Sequence, residues 1–473
     1  MDHKRLALLA AILGSFVSGL DATVVNVALP SIQDDLGGGL AAQQWISNAY
    51  MLTLGSLILV GGSLGDVFGE RKVFSAGVAG FGVASLLCAL APSVEVLVLA
   101  RALQGIFGAL LTPSALAVIV AAFPPEERGG AIGSWTAWTG IAFVVGPLAG
   151  GVLVDATSWR WIFLVNVPFV IVTLIVIAKA VAPAARGRAH ARVDYVGATL
   201  CVLGLAGPVF GLTRQPELGW SAPEVWLPLV TGAALFAAFL LWEARVREPM
   251  LPLDLFKRRN FSVGNTETVA MYGGLSLSLF TLTVFLQEVA GYSALQAGLA
   301  TIPTTLVMFL LSKRMGAFAD RLGPRLFMGC GPLIAAAGLL LYQRVDGDAE
   351  YVTQVLPAIL VFAFGLSATV APLTATVLAD ADEHNAGIAS GVNNALARMA
   401  GLLAVASLGI IVSGAITLAG FHKVMAIAAV LVGCGGVLGL IGIVNPRRTV
   451  RCADCPGGAL LPTEEHEVIG SAA

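Results

Sequence analysis

The chain has 473 residues, of which 57% are hydrophobic and 12% are charged, and its formal net charge is −2. Ordinary soluble domains are about 25% charged, so this composition indicates an integral membrane protein. The balanced charge and the lack of a basic face argue against a nucleic-acid partner. No phosphate-binding G-x-x-x-x-G-K-[ST] loop is present in the sequence, so we expect neither ATP-driven pumping nor enzymatic activity.

Long apolar segments recur along the whole chain, and each is long enough to cross about 30 Å of hydrocarbon as a helix. They are too long for barrel strands and lack the alternation of a lipid-facing barrel. The fourteen predicted spans are 6–29, 44–64, 73–91, 95–121, 131–154, 161–182, 195–213, 223–243, 262–287, 294–313, 325–342, 353–378, 386–413 and 422–444. We therefore predict an all-α integral membrane protein.

The distribution of Lys and Arg predicts how these spans are oriented. With the N-terminus in the cytoplasm, 21 of the 27 basic residues fall in cytoplasmic segments and only four in external ones. The first apolar run follows Lys4 and Arg5 but is too long for a signal peptide and contains an acid, so we interpret it as a retained helix. Both termini are expected in the cytoplasm.

Four charged residues stand out because they lie well inside predicted spans, away from the span ends, namely Asp21, Arg101, Glu267 and Arg398. A charge at mid-membrane costs about 2.5–3.5 kcal/mol, so such residues are normally paired or functional. From the helical rise, Asp21 lies about 22 Å into a span that enters from the cytoplasm, and Arg101 about 9 Å into a span that enters from outside. The two are expected at similar depth, as either a proton-coupling pair or a static salt bridge.

The loop after the second span has a second copy in the chain. Residues 62–71 (GSLGDVFGER) and 316–325 (GAFADRLGPR) both match G-x-x-[AG]-D-x-x-G-x-R and lie 254 residues apart. A loop repeated at equivalent places predicts two similar bundles, which is most often a transporter architecture. The residues predicted to form a cytoplasmic gate are Gly62, Asp66, Gly69, Arg71, Asp320, Arg321, Gly323 and Arg325. The two acids could otherwise be ordinary solvated loop residues.

The positions of the two copies predict six helices, then two extra helices, then six more. The predicted units are an N-terminal bundle (1–182), two extra spans with basic flanking loops (183–261), a C-terminal bundle (262–444) and a disordered cytoplasmic tail (445–473). The tail carries Cys452 and Cys455 in a C-x-x-C pattern. Two thiols and one His are too few for a zinc site, so we expect no metal.

Several intramembrane polar residues are candidates for contact with a substrate: Glu267, Arg398, Asn26, Gln104, Asn393 and Asn394. Glu267 could attract a cationic group, take part in proton transfer, or extend to the inner interface. Arg398 could bind an anionic group, neutralise Glu267, or form hydrogen bonds between helices. Acidic and basic residues within the spans are balanced, so the substrate's charge stays open.

Several of these segments resemble the major facilitator superfamily, in particular its fourteen-span drug:proton antiporter branch. The matching segments are 20–30 (LDATVVNVALP), the two loop copies, 101–105 (RALQG) and 146–151 (GPLAGG). They are similar to the first-helix motif, the hinge-loop motif, the R-x-x-Q-G motif and the antiporter motif. The chain departs from the family pattern at Val67, where Arg is usual, and at Phe107 and Ala142, where Gly is usual.

The resemblance implies a monomeric transporter in the bacterial inner membrane, with two six-helix bundles and two extra central helices. It implies export of small amphipathic drugs or antibiotics in exchange for protons, driven by the proton gradient and without a cofactor. Gly146, Pro147, Gly150 and Gly151 would form the antiporter-motif helix, although tight packing alone could also explain them. The alternatives are a dedicated transporter of a single metabolite, such as a natural product or siderophore, and a non-transporting membrane receptor.

Overall fold

The computed structural model describes residues 3–180, 194–247, 249–379 and 386–445, and within these ranges the chain is helical and contains no strand. The first bundle consists of α1 (His3–Leu36), α2 (Gly39–Phe68), α3 (Glu70–Ala89), α4 (Val94–Ala122), α5 (Pro125–Ala156), α6 (Trp161–Leu164) and α7 (Asn166–Ala180). A hairpin of α8 (Tyr195–Leu218) and α9 (Pro223–Glu243) follows. The second bundle consists of α10 (Arg259–Glu288), α11 (Ala294–Leu322), α12 (Pro324–Leu341), α13 (Leu356–Ala379), α14 (Ala386–Ala406), α15 (Leu408–Val412) and α16 (Leu418–Gly442).

The predicted all-α membrane fold is confirmed. Among the described residues, 13 helices are long and apolar enough to cross a membrane. The remaining predicted span is α2, a helix of 30 residues, which reaches about 45 Å at 1.5 Å per residue. The predicted spans 161–182 and 386–413 are each interrupted, giving the pairs α6–α7 and α14–α15. Several helices extend beyond the predicted apolar segments. The added polar turns lie outside the hydrocarbon, and helical hydrogen bonds satisfy their backbone N–H and C=O groups as well.

The two ends of the helical assembly differ in how the bundles meet. We call the end with Gly69 and Gly323 the motif face, and the end with Asp155 and Glu288 the latch face. Toward the latch face, buried apolar side chains of both bundles form one continuous cluster. Toward the motif face, the described side chains form separate clusters, one in each bundle. The described apolar cores are therefore continuous between the bundles at the latch face and separate at the motif face.

The extra hairpin lies against one seam between the bundles. Leu205 of α8 packs with Leu52 of α2 and Leu402 of α14 in one buried cluster. Within the hairpin, α8 and α9 approach so closely that a Cβ at Gly207 would collide with the carbonyl oxygen of Pro228. Close approach at small residues is how helices associate in lipid, where no hydrophobic driving force acts between them. The hairpin is thus attached to both bundles through α8.

Candidate functional site

Asp21 and Arg101 form an ion pair inside the first bundle. Arg101 Nη1 donates to Asp21 Oδ2 at 2.6 Å, and the two residues are 1% and 0% exposed. The pair joins the middle of α1 to the second turn of α4. The guanidinium group also lies 4.3 Å from the ring centroid of Tyr50, and its Nε donates to the carbonyl of Ile46 at 3.3 Å. Asp21 and Arg101, which we expected at similar depths in the membrane, are therefore in direct contact.

The second carboxylate oxygen of Asp21 is held by two amides. Its Oδ1 accepts from Gln104 Nε2 at 2.9 Å and from Asn166 Nδ2 at 3.2 Å. Both amides also donate to Ser85 Oγ, at 3.3 and 3.0 Å. We call Asp21, Tyr50, Ser85, Arg101, Gln104 and Asn166 the Asp21 network, all of which are buried. The network links α1, α2, α3, α4 and α7.

Through this network, the charge of Asp21 affects hydrogen bonds to several helices of the first bundle. Desolvating two charges is costly, and a buried pair is stable only when further hydrogen bonds satisfy its remaining atoms. Removing one charge leaves the other uncompensated, which is worth about 3–5 kcal/mol in buried pairs. Protonation of Asp21 would therefore change the interactions of Arg101 and of the amides on α4 and α7 together.

Three members of the network were not anticipated from the sequence. Tyr50, Ser85 and Asn166 lie within predicted spans. The signal that could have found Asn166 is its place in the otherwise apolar run 161–178, WIFLVNVPFVIVTLIVIA. A buried amide requires partners, but which helix supplies them depends on the rotation of each helix in the bundle.

Three of the six predicted substrate-contacting residues, Gln104, Asn393 and Glu267, lie within a bundle. Gln104 belongs to the Asp21 network. Asn393 of α14 donates to Asn265 Oδ1 at 3.1 Å and to Thr268 Oγ1 at 2.7 Å, both on α10. Asn393 thus connects two helices of the second bundle. Polar side chains commonly form such hydrogen bonds between membrane helices.

Three others remain at least partly exposed: Asn26 on α1, and Asn394 and Arg398 on α14. Asn394 donates only to the Ser390 carbonyl of its own helix, at 3.1 Å. Arg398 lies one turn further along α14, where a Cβ at Gly55 of α2 would be 3.2 Å from the Arg398 Cβ. Arg398 therefore lies at the contact between α2 and α14, which belong to different bundles.

Glu267 lies elsewhere, inside the second bundle. It is 0% exposed, and neither carboxylate oxygen has a hydrogen-bond partner among the described residues. It faces α16, where a Cβ at Gly439 would be 2.9 Å from Glu267 Oε2. Glu267 therefore neither extends to an interface nor neutralises Arg398 in this conformation.

The antiporter-motif segment of α5 fits against α1. A Cβ at Gly146 would collide with Thr23 Oγ1, and one at Gly150 would be 2.6 Å from Val24 Cγ2. Both positions therefore need glycine for α5 and α1 to pack at this distance. The segment packs directly beside the turn of α1 that carries Asp21. A movement of α5 would therefore also move this part of α1.

The adjacent positions of α5 face the other bundle. A Cβ at Gly151 would collide with the Cα of Leu295 in α11, and a Cβ at Gly298 would collide with the carbonyl oxygen of Pro147. The small residues of the motif thus lie on two faces of α5. One face packs against α1 and the other packs against α11. Its second face lies in the contact between the bundles near the latch face.

Asp155, at the end of α5, closes this contact with hydrogen bonds. Its carboxylate accepts from Ser293 Oγ at 2.8 Å and from the backbone N–H groups of Ala294 and Leu295 at 3.1 and 2.9 Å. These donors belong to the first turn of α11, where free N–H groups and the helix dipole favour a negative charge. An acid of one bundle therefore caps a helix of the other.

Three glutamines add further hydrogen bonds between the bundles in the latch-face half. Gln43 Nε2 donates to Glu288 Oε1 at 2.6 Å, Gln44 Nε2 to the Val405 carbonyl at 2.6 Å, and Gln287 Nε2 to the Val27 carbonyl at 3.1 Å. We refer to these three contacts and the Asp155 cap as the latch. The latch and the shared apolar core hold this face closed.

The repeated loop has the same geometry in both bundles. Gly69 and Gly323 have φ of 89° and 94°, a left-handed region in which residues with a Cβ are strained. Arg71 donates to the Ala178 carbonyl of α7 at 3.3 Å, and Arg325 donates to the Leu440 carbonyl of α16. Each arginine therefore binds the last turns of the final long helix of its own bundle, where the helix dipole favours a cation.

The remaining predicted gate residues are less connected in this conformation. Asp320 and Arg321 are exposed at the motif face, and Arg321 makes a polar or electrostatic contact. A Cβ at Gly62 would be 3.8 Å from Pro113, an ordinary contact. The side chain of Asp66 lies outside the described part of the structure, as do Cys452 and Cys455. Within the described ranges, no group of three or more His, Cys, Asp or Glu residues is placed to hold a metal ion.

Comparison with known proteins gives consistent results. Residues 11–405 match the Major Facilitator Superfamily. The chain is 39% identical over 404 residues to the puromycin resistance protein of Streptomyces alboniger, covering 84% of this chain and 79% of that protein. It is 34% identical over 406 residues to the tetracenomycin C resistance and export protein of Streptomyces glaucescens, covering 86% and 75%. Among solved structures, a peptide transporter superposes with a TM-score of 0.69 at 15% identity, covering 93% of this chain and 97% of that chain.

Proposed function

The chain belongs to the major facilitator superfamily and is a multi-pass membrane transporter, and from this premise we propose that it exports small amphipathic compounds, antibiotics among them, in exchange for protons. The observation that carries the proposal is the Asp21 network. Asp21 is a fully buried carboxylate whose only ionic partner among the described residues is Arg101. Ionisable residues at this depth mark proton or substrate pathways in transporters.

The bundle packing supports alternating access around a central path. The latch and the shared core close one face, whereas the cores separate toward the motif face. The Lys and Arg distribution supports a cytoplasmic location for the motif face. The conformation is then inward-facing, in the bacterial cell membrane, with the substrate path open to the cytoplasm. One chain supplies both bundles, which supports a monomer as the transporting unit in this proposal.

In the proposed cycle, a proton from the external side binds the Asp21 carboxylate and removes the charge that Arg101 compensates. The amides of Gln104 and Asn166 then lose their charged acceptor. Return to the inward-facing state restores the ion pair and releases the proton to the cytoplasm. One charge crossing 100 mV gains about 2.3 kcal/mol, or about fifty-fold in concentration at 1.4 kcal/mol per decade, which suffices for useful efflux.

The relatives support an antibiotic cargo, because they include a puromycin resistance protein and a tetracenomycin C export protein. A second candidate is export of a single metabolite. It is favoured by the names of those two relatives, because each refers to a single compound. A non-transporting receptor is disfavoured by the buried ion pair, because such pairs are weak evidence for stability alone.

Expression in a host that lacks its own efflux pumps tests this function. We expect raised tolerance to several unrelated amphipathic compounds, measured with a panel of puromycin, ethidium and novobiocin. The control is the same host carrying the Asp21→Asn variant at equal membrane abundance. Tolerance to a single compound would favour the dedicated exporter. Unchanged tolerance and unchanged cellular accumulation of all panel members would contradict the proposal.

A further inference from the structure

Arg398 is a charged side chain inside a membrane-spanning helix that lacks a counter-ion. No ion pair or hydrogen bond of its guanidinium group occurs among the described residues, and its Nε is buried without a partner. The residue as a whole is nevertheless partly exposed. Arg101, by contrast, is 1% exposed and has Asp21 at 2.6 Å. Among the described residues, Arg101 is therefore neutralised by a counter-ion, whereas Arg398 has none.

The surroundings of Arg398 come from three helices of both bundles. Gly55 of α2 lies against its Cβ, because a Cβ there would be only 3.2 Å away. The titratable groups that act on it electrostatically are Tyr50 of α2 and Tyr272 of α10, and neither carries a charge at neutral pH. Asn394, one turn earlier on α14, adds an exposed amide. The site thus combines a cation, the partly exposed ring of Tyr272 and a neutral polar group.

A purely structural role does not account for this arrangement. A mid-membrane arginine costs about 2.5–3.5 kcal/mol, and one that joined helices would donate to carbonyls or carboxylates, as Arg101, Arg71 and Arg325 do. The other buried acids among the described residues are not its partners, because Glu267 is held against α16 and Glu243 accepts from the backbone N–H of Leu251. The open guanidinium group is therefore best explained by a ligand that supplies the missing negative charge.

We propose that Arg398 is the anion-binding centre of the substrate path, selecting aromatic amphipathic compounds that carry a carboxylate, phenolate or enolate group. The guanidinium group would pair with the anionic group of the substrate, and the partly exposed ring of Tyr272 would contact its apolar part. This inference rests on the proposed transport function, because it takes the space between the bundles to be the substrate path.

The site is also connected to the Asp21 network. The Tyr50 ring lies 4.3 Å from the Arg101 guanidinium carbon, and its hydroxyl group is 3.2 Å from Ser18 Oγ of α1. Tyr50 therefore touches the coupling pair on one side and belongs to the surroundings of Arg398 on the other. Binding of an anion beside Tyr50 would act on the same residue that supports Arg101.

Direct binding to the purified full-length protein tests the proposal without requiring transport. The probes are 9-anthracenecarboxylate and its neutral isostere 9-anthracenecarboxamide, followed by fluorescence anisotropy at pH 7.5. We expect the wild type to bind the carboxylate at least about tenfold more tightly than the amide, the scale of one charged hydrogen bond. Arg398→Gln should abolish this preference, and Arg398→Lys should retain part of it.

Arg344→Gln, at an exposed arginine near the latch face, is the matched control and should keep the preference. Folding of each variant is checked by size-exclusion chromatography. A wild type that does not prefer the carboxylate, including one that binds neither probe, overturns the proposal. So does an Arg398→Gln variant that folds and keeps the preference. Failure of transport with carboxylate preference intact would instead contradict the proposed function alone.

Discussion

Replacing Asp21 by asparagine is expected to abolish proton-coupled efflux while the protein still reaches the membrane. Asparagine has nearly the same shape and still accepts hydrogen bonds from Gln104 and Asn166, but it can neither carry nor release a proton. Arg101 would remain buried without its counter-ion, so we also expect a loss of about 3–5 kcal/mol in stability. The measurement is substrate efflux from energised cells at matched membrane abundance, with Asp34→Asn as the control. Asp34 is an exposed acid near the end of the same helix.

A double variant separates coupling from a static salt bridge. Asp21→Asn with Arg101→Gln removes both charges, so the stability lost in the single variant should largely return. If the pair only holds α1 to α4, transport should return with it. If Asp21 carries the proton, the double variant should fold well and still lack proton-coupled efflux. Wild-type coupling in either variant would eliminate Asp21 as the coupling residue.

Enlarging Gly151 or Gly298 to alanine should shift the transporter away from the conformation with a closed latch face. In this conformation the new Cβ would collide with backbone atoms of Leu295 or Pro147, which side-chain rotation cannot relieve. Overpacking of this kind costs about 1–3 kcal/mol, which corresponds to a shift of about fivefold to 150-fold in the conformational equilibrium. In a conformation in which α5 and α11 are separated, the new Cβ would not collide, so that conformation would be favoured.

The distance between spin labels at Asp34→Cys and Asp348→Cys reports this shift in a cysteine-depleted protein. Both positions are exposed, one on each bundle. Gly151→Ala should increase the population with a long distance and reduce transport. Gly140→Ala is the matched control, because it lies on the same helix and a Cβ there meets nothing within 4 Å. Equal distance distributions for the wild type and Gly151→Ala would show that α5 and α11 do not form the closing contact.

Helical rise alone was enough to predict that Asp21 and Arg101 share a depth, because depth depends only on distance along each helix. Rotation about the helix axis is a separate quantity, and it decides which side chains meet. Gln104 and Asn393 were therefore expected to contact substrate, whereas they lie within the bundles, bound to Asp21 and to Thr268. The hydrogen-bond partners Ser85 and Asn166 could not be selected from the sequence for the same reason.

The repeated loop illustrates what a motif can and cannot predict. Its glycines correspond to two left-handed turns, and this geometry follows from the absence of a Cβ. The partners of Arg71 and Arg325 depend on where the last long helix of each bundle ends, which the loop itself does not encode. The same limit applies to α5, where the sequence identified the small residues but not their division between α1 and α11.

The central claim is that substrate movement is coupled to proton movement through Asp21. It is tested most directly with purified protein in liposomes that have an acidic lumen and a clamped membrane potential, using the panel compound that gives the largest tolerance shift. For the wild type we predict accumulation of that compound above empty liposomes, together with loss of protons from the lumen. Asp21→Asn should show neither effect. Accumulation without proton movement, or equal accumulation and proton loss in Asp21→Asn, would contradict the account.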